Sequence, residues 1–152
     1  MIMQFSKILF TSALLFTIVC QTYAQDAKLK VLIVDGQNNH SIWPKTTVMM
    51  KTYLEETGLF SVDIARTAYT WQGDGYYNKL AAQEAPDLVA LYPISEQSNG
   101  AHRKQPTPDP NFNPDCEKYA VVISNFGRRA ADWPASTKAN FEQYMKQGGG
   151  LV

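Results

Sequence analysis

The chain has 152 residues, 45% hydrophobic and 18% charged, with 14 basic side chains against 14 acidic. That is enough apolar material for one domain with its own core. The balanced charge excludes a general nucleic-acid binder, and nine glycines with eight prolines exclude collagen-like and low-complexity classes.

Residues 1–24 carry one charge, Lys7, ahead of a twelve-residue apolar run, Ile8 to Val19. At about 1.5 Å per residue such a run is too short to cross a ~30 Å hydrocarbon layer. Thr22 and Ala24 put small side chains at the −3 and −1 positions of a cleavage before Gln25. The segment therefore predicts an export signal and a secreted or periplasmic protein without a permanent membrane anchor. Lipidation at Cys20 is a rival, although Thr17-Ile18-Val19 lacks the usual small residue before the cysteine; retention as an uncleaved anchor is another. Cleavage would leave Cys116 as the one cysteine, so no internal disulfide is available. Its neighbours Asp115 and Glu117 disfavour the thiolate, which predicts an inert thiol rather than a nucleophile.

Leu29 to Val34 is a near-continuous aliphatic run closed by Asp35-Gly36, the pattern of a strand covered on both faces. A helix is expected over residues 45–57, with Pro44 in its first turn, Gly58 at its end and Val48, Met49, Tyr53 and Leu54 as its apolar stripe. Residues 60–65 alternate as a second strand, completing a right-handed crossover unit. From Thr67 to Lys118 the pattern is irregular. Residues 76–84 suit a short helix stopped by Pro86, and residues 88–92 a short strand or buried turn. Residues 99–115 hold four prolines and predict a surface loop or flexible excursion, with His102 in solvent.

Residues 119–125 form a third buried strand, and 126–133 its exit loop. Pro134 or Ser136 opens a helix to about Gln147, with Phe141, Tyr144 and Met145 inward. Three glycines end it, and Leu151-Val152 starts another apolar run. Two residues of a strand predict a sheet still incomplete at the C-terminus, the N-terminal part of a larger domain.

Three stretches resemble the ThuA-like (trehalose utilisation) family, whose members have the class I glutamine-amidotransferase-like fold. The first is Lys30-Val31-Leu32-Ile33-Val34-Asp35-Gly36-Gln37-Asn38-Asn39-His40 with Trp43. The second is Ser124-Asn125-Phe126-Gly127, leading to Ala131-Asp132-Trp133-Pro134. The third runs from Phe141 through Gly148-Gly149-Gly150 to Val152. Their order and spacing carry the resemblance from Lys28 onward, while the middle loop matches loosely. It implies an α/β, flavodoxin-like three-layer αβα domain with a parallel sheet, and a sugar or sugar derivative as partner. It also implies a histidine-containing segment after the fourth strand, which these residues do not include. The amidotransferase nucleophile sits on the turn after that same strand, and nothing present fills its role.

Open parallel sheets bind ligands beyond the carboxyl ends of their strands. Two loops leave such ends, Asp35 to Trp43 and Asn125 to Trp133, and each closes with Trp-Pro at a helix start. Aromatic plates with amide, carboxylate and guanidinium groups between them suit a polyol. His40 is the candidate acid/base or ligand-orienting group. Asp35, Asn38, Asn39, Trp43, Asn125, Arg128, Asp132 and Trp133 are the candidate ligand contacts, with Arg129 beside them. Each has a plainer alternative: turn formation for Asp35, Asn38 and Asn39, a lid on the core for Trp43 and Trp133, solvation for the arginines.

The two histidines stand 62 positions apart without ligand spacing, which predicts no metal set. No Gly-x-Gly-x-x-Gly follows the first strand and no Gly-x-Ser-x-Gly occurs, so no cofactor is assigned and no serine-hydrolase chemistry is expected. The function expected is that of an exported carbohydrate-handling ThuA-like domain. The alternatives are a non-catalytic sugar-binding module, or an amidotransferase or peptidase relative whose cysteine lies beyond residue 152.

Overall fold

The computed structural model describes residues 27–95 and 100–152. The predicted export segment lies outside these residues, as does Asn99 at the start of the proline-rich stretch. A five-stranded, all-parallel sheet has the order β3-β2-β1-β4-β5. Its strands are β1 (Leu29–Gln37), β2 (Phe60–Trp71), β3 (Ala101–His102), β4 (Val121–Ser124) and β5 (Gly150–Leu151). The helices are α1 (Trp43–Glu56), α2 (Tyr76–Ala81), α3 (Leu88–Leu91) and α4 (Ala135–Lys146), with a 3₁₀ turn at Cys116–Lys118. Among the described residues no helix is long and apolar enough to cross a membrane.

β1 is central because both of its faces are apolar. Val31 and Ile33 join Val62 beneath Met50 and Leu54 of α1. Leu32 and Val34 join Val122 on the opposite face, under Phe112, Cys116 and Tyr144 of α4. Helix, sheet and helix thus form the three layers of a flavodoxin-like α/β fold.

α1 begins two residues before its expected start, and its inward face differs from the expected stripe. Trp43 is fully buried, so the inward face runs through Trp43, Thr47, Met50 and Leu54. Burying one such indole contributes about 3 kcal/mol. Met49 and Tyr53, expected inside, lie on the outer side, Tyr53 at 59% exposure. α4 shows the same effect on a smaller scale. Thr137, Phe141 and Tyr144 face the core, while Met145 falls one position past the stripe and is exposed.

β2 runs six residues past its predicted end. The alternation continues through Phe60, Val62 and Ile64 to Arg66, a charge that stays in the sheet because Asp35 stands directly beside it in register. The ladder then jumps from Asp35↔Arg66 to Gln37↔Trp71, so Thr67 to Thr70 bulge opposite Gly36. Only glycine fits there: φ is +130°, and a Cβ would lie 2.1 Å from Thr67 Oγ1. On the other side of β2, Lys51 Nζ of α1 donates to the Val62 carbonyl, and Glu55 Oε1 accepts from the Val62 N–H at 3.3 Å.

Three segments of the irregular middle differ from expectation. α2 stops at Ala81, earlier than Pro86 requires, because Gln83 adopts a left-handed φ of 61°. Residues 88–91 are helix rather than strand, capped by the Asp87 side chain, which accepts from Ala90 N–H. The proline-rich stretch is a fixed strap. β3 pairs with Tyr69 and Thr70; Asp109 accepts from the N–H groups of Ala68 and Asn111; Phe112 is buried.

Before β4, the Tyr119 hydroxyl donates to Asp63 Oδ2 at 2.9 Å. Burial, then the Asp63 carboxylate, pushes its pKa up to about 12. The folded state therefore holds this proton where the unfolded chain, near pH 10, releases it. Stability is complete below pH 10 and is expected to fall as pH rises towards 12. Urea midpoints measured across that range should show a decline that Tyr119→Phe reduces, the remainder coming from Tyr76 and Tyr144, which burial also pushes up.

Candidate functional site

Three strands end together at the carboxyl edge of the sheet, and their exit loops are joined by backbone-seeking amides. After β1, Asn38 Oδ1 accepts from the His40 N–H at 2.9 Å, and Asn38 Nδ2 donates to the Asn125 carbonyl at 3.1 Å. After β4, Asn125 Nδ2 reaches back to the start of α1, with Thr47 Oγ1 at 2.8 Å and Thr46 Oγ1 and the Trp43 carbonyl at 3.2 Å. His40 and Asn125 thus share one rim, with Asn38 between them.

Close approach of the chain fixes the rim further. A Cβ on Gly127 would lie 2.3 Å from Asn38 Oδ1, so only glycine lets the β4 loop pass this closely. The β2 exit loop closes the third side, where Arg129 pairs with Asp74 at 2.5 Å and its guanidinium lies 5.8 Å from the centroid of the Trp71 ring.

His40 is exposed, and its imidazole makes no hydrogen bond or ion pair among the described residues. Asn39 and Arg128 are exposed beside it in the two loops, Arg128 likewise without a partner among those residues. The other candidates stand elsewhere. Asp35 has no exposed surface; Arg66 grips it with Nε to Oδ1 at 2.9 Å and Nη2 to Oδ2 at 2.8 Å. Trp43 lies in the core, its Nε1 donating to the Trp71 carbonyl at 2.9 Å and its ring 4.9 Å from the Arg66 guanidinium. Trp133 sits in an aromatic cluster with Phe112, Phe126 and Phe141, centroids 5.5–5.6 Å away. Asp132 is exposed and pairs with Lys138 at 3.0 Å. Neither tryptophan is placed as an open stacking plate.

His102, expected in solvent, is held in β3. Its Nε2 lies 3.0 Å from Asp87 Oδ2 and its Nδ1 3.2 Å from Thr70 Oγ1. Burial works to raise the Asp87 pKa, but hydrogen bonds from Ala90 N–H and His102 outweigh it and hold the carboxyl below its usual range. Thr70 is fully buried, so this chain of hydrogen bonds ties β3 to α3 and offers no accessible nucleophile. Cys116 is buried, and burial followed by Asp115 pushes its thiol up, away from the thiolate. Among the described residues no group of three or more histidine, cysteine or acidic side chains could hold a metal ion.

The residue that organises the rim is one the sequence does not advertise. Gln37 is fully buried, and all four of its amide valences are used. Nε2 donates to the carbonyls of Thr107 at 2.6 Å and Tyr69 at 3.2 Å. Oε1 accepts from Ala131 N–H at 3.1 Å and Thr107 N–H at 3.3 Å. One side chain therefore fixes the strap, the β2 bulge and the β4 exit. A cavity of about 540 Å³ opens near the strap on the Phe112 face, lined by Ala65, Thr67, Gly100, Asp109 and Asn111. Both Asp109 oxygens are already committed to backbone, and Arg66, which also lines the space, is paired with Asp35.

No family model and no curated protein matches the chain. Among solved structures, it is similar to a protein of Parabacteroides merdae described as ThuA-like, with a TM-score of 0.53 and 23% sequence identity. The match covers 83% of this chain and 32% of that one, so the chain spans about a third of that protein's length. At this identity the likeness is one of architecture. The chain shares its parallel α/β fold with a ThuA-like protein.

Proposed function

We propose that this is an exported ThuA-like domain that handles a carbohydrate or sugar derivative at the carboxyl rim, with His40 as the acid/base or ligand-orienting group. One observation carries the reading. His40 presents an imidazole that has no partner among the described residues, from a loop whose backbone Asn38 fixes to Asn125, at the position where open parallel sheets receive ligands. Asn39 and Arg128 supply polar contacts, and Asn125 acts behind them by holding the loop to α1. The export segment and the family resemblance support the setting, a small sugar encountered outside the cytoplasm.

The test is turnover and binding of unmodified and oxidised disaccharides, trehalose among them, by the full chain. Turnover that His40→Ala lowers by about a hundredfold or more, with folding intact, is the expected result. Turnover unchanged by that substitution removes His40 from the chemistry.

Asp35 favours a second reading, a non-catalytic sugar-binding module. It is the acidic side chain nearest in sequence to His40, yet Arg66 holds it out of reach. Sugar binding without turnover, indifferent to His40→Ala, would select that reading.

A further inference from the structure

The charges at the rim are uneven although the whole chain is balanced. The β3 exit carries Arg103 and Lys104, and the β4 exit carries Arg128 and Arg129. Asp74 of the β2 exit and Asp132 of the β4 exit already have cationic partners, Arg129 and Lys138, and in the strap after β3 both Asp109 oxygens accept backbone N–H groups. Arg103 lies 4.3 Å from the Tyr69 ring centroid and Lys104 5.4 Å from that of Tyr77; neither has a carboxylate partner among the described residues. The two basic segments belong to one place. Thr107, three residues after Lys104, and Ala131, two after Arg129, donate to the same atom, Gln37 Oε1.

A second observation is independent of these charges. Among the described residues, three buried side-chain polar atoms have no partner: two donors, Arg66 Nη1 and Trp71 Nε1, and one acceptor, Gln72 Oε1. Trp71 is the ring beneath Arg129 and is 1% exposed. A neutral polyol offers hydroxyls that donate as readily as they accept, and it would find few free acceptors here. A carboxylate or phosphate only accepts, and it matches the guanidinium and ammonium donors that Arg128, Arg103 and Lys104 bring to the rim.

We propose that the rim around Gln37 recognises an anionic carbohydrate, a sugar bearing a carboxylate or a phosphate ester, through Arg128 and Arg103 with Lys104 beside them. This rests on the carbohydrate reading of the same rim and narrows its substrate class. Arg129 keeps its ion pair with Asp74 and holds the β2 and β4 exits together. The anion enters on the open side, between the strap and the β4 loop.

The experiment is calorimetric titration of the full chain with glucuronate, glucose 6-phosphate, glucose and inorganic phosphate at low ionic strength. At least one anionic sugar is expected to bind about tenfold tighter than glucose, with affinity falling as salt is added. Arg103→Gln combined with Arg128→Gln should remove about tenfold of that affinity without changing the melting temperature, whereas Lys146→Gln, at the far end of α4, should not. Preference for glucuronate identifies a carboxylate ligand, and preference for glucose 6-phosphate a phosphate ester. Glucose binding as tightly as both overturns this inference and leaves the carbohydrate reading intact. Inorganic phosphate binding as tightly as the sugars overturns it too, since the sugar would then contribute nothing. Failure of every sugar to bind sinks both readings together.

Discussion

Asp35→Ala is expected to lower the unfolding free energy by about 3–5 kcal/mol, the usual consequence of removing one member of a buried ion pair. The side chains of Asp35 and Arg66 are 0% and 1% exposed, so water cannot replace the missing partner. Arg66 already has one nitrogen, Nη1, without a hydrogen bond. The substitution would orphan two more, Nε and Nη2, beneath the Trp43 ring. Urea unfolding followed by circular dichroism should show the midpoint fall without a change in slope. A loss below about 1 kcal/mol would mean that the guanidinium finds water or another partner. Replacing both residues with apolar side chains, Asp35→Leu with Arg66→Met, is expected to recover most of the loss. That recovery would assign the pair to register, not to chemistry.

Gln37→Leu should have the next largest effect, about 3 kcal/mol or more, by leaving several backbone groups without partners at about 1–3 kcal/mol each. The groups are the carbonyls of Tyr69 and Thr107 and the N–H groups of Thr107 and Ala131. Shape is nearly conserved, so the loss isolates the hydrogen bonds from packing. Amide exchange gives the more specific readout. Protection at Thr107 and Ala131 should collapse together, while Val31 to Val34 in the central ladder stay protected. Loss at one amide alone would show that the strap and the β4 exit are fixed separately.

The elements legible in the sequence were those whose apolar pattern is local. β1, α1, β4 and α4 announce themselves by unbroken aliphatic runs or helical spacing, and their order implies the parallel sheet that the structure has. What was hidden depends on partners far along the chain. The second half of β2 reads as loop because Arg66 and Thr67 interrupt its pattern, and only the register with β1 explains them. The strap reads as an excursion because its prolines outnumber its anchors, Asp109 and Phe112.

The site divides along the same line. The carboxyl-end rule puts His40, Asn38 and Asn125 at one edge, since it needs only strand order. Trp43 and Trp133 take the core position that was the plainer reading of each, whereas the burial of Asp35 was not legible. A carboxylate 31 positions from its arginine gives no local sign of being enclosed. Gln37 was missed for the same reason: its four contacts lie 32 to 94 positions away.

Lys51 and Glu55 have a consequence beyond anchoring α1. Among the described residues the outer margin of β2 from Phe60 to Arg66 has no neighbouring strand, since β3 reaches only Tyr69 and Thr70. Such a margin is a template on which another chain can add itself. The two side chains occupy the donor and acceptor of Val62, near the middle of that margin, with a charge-bearing clasp. An incoming strand would have to displace both groups before it could zip, so the helix that covers the sheet also guards it against polymerisation.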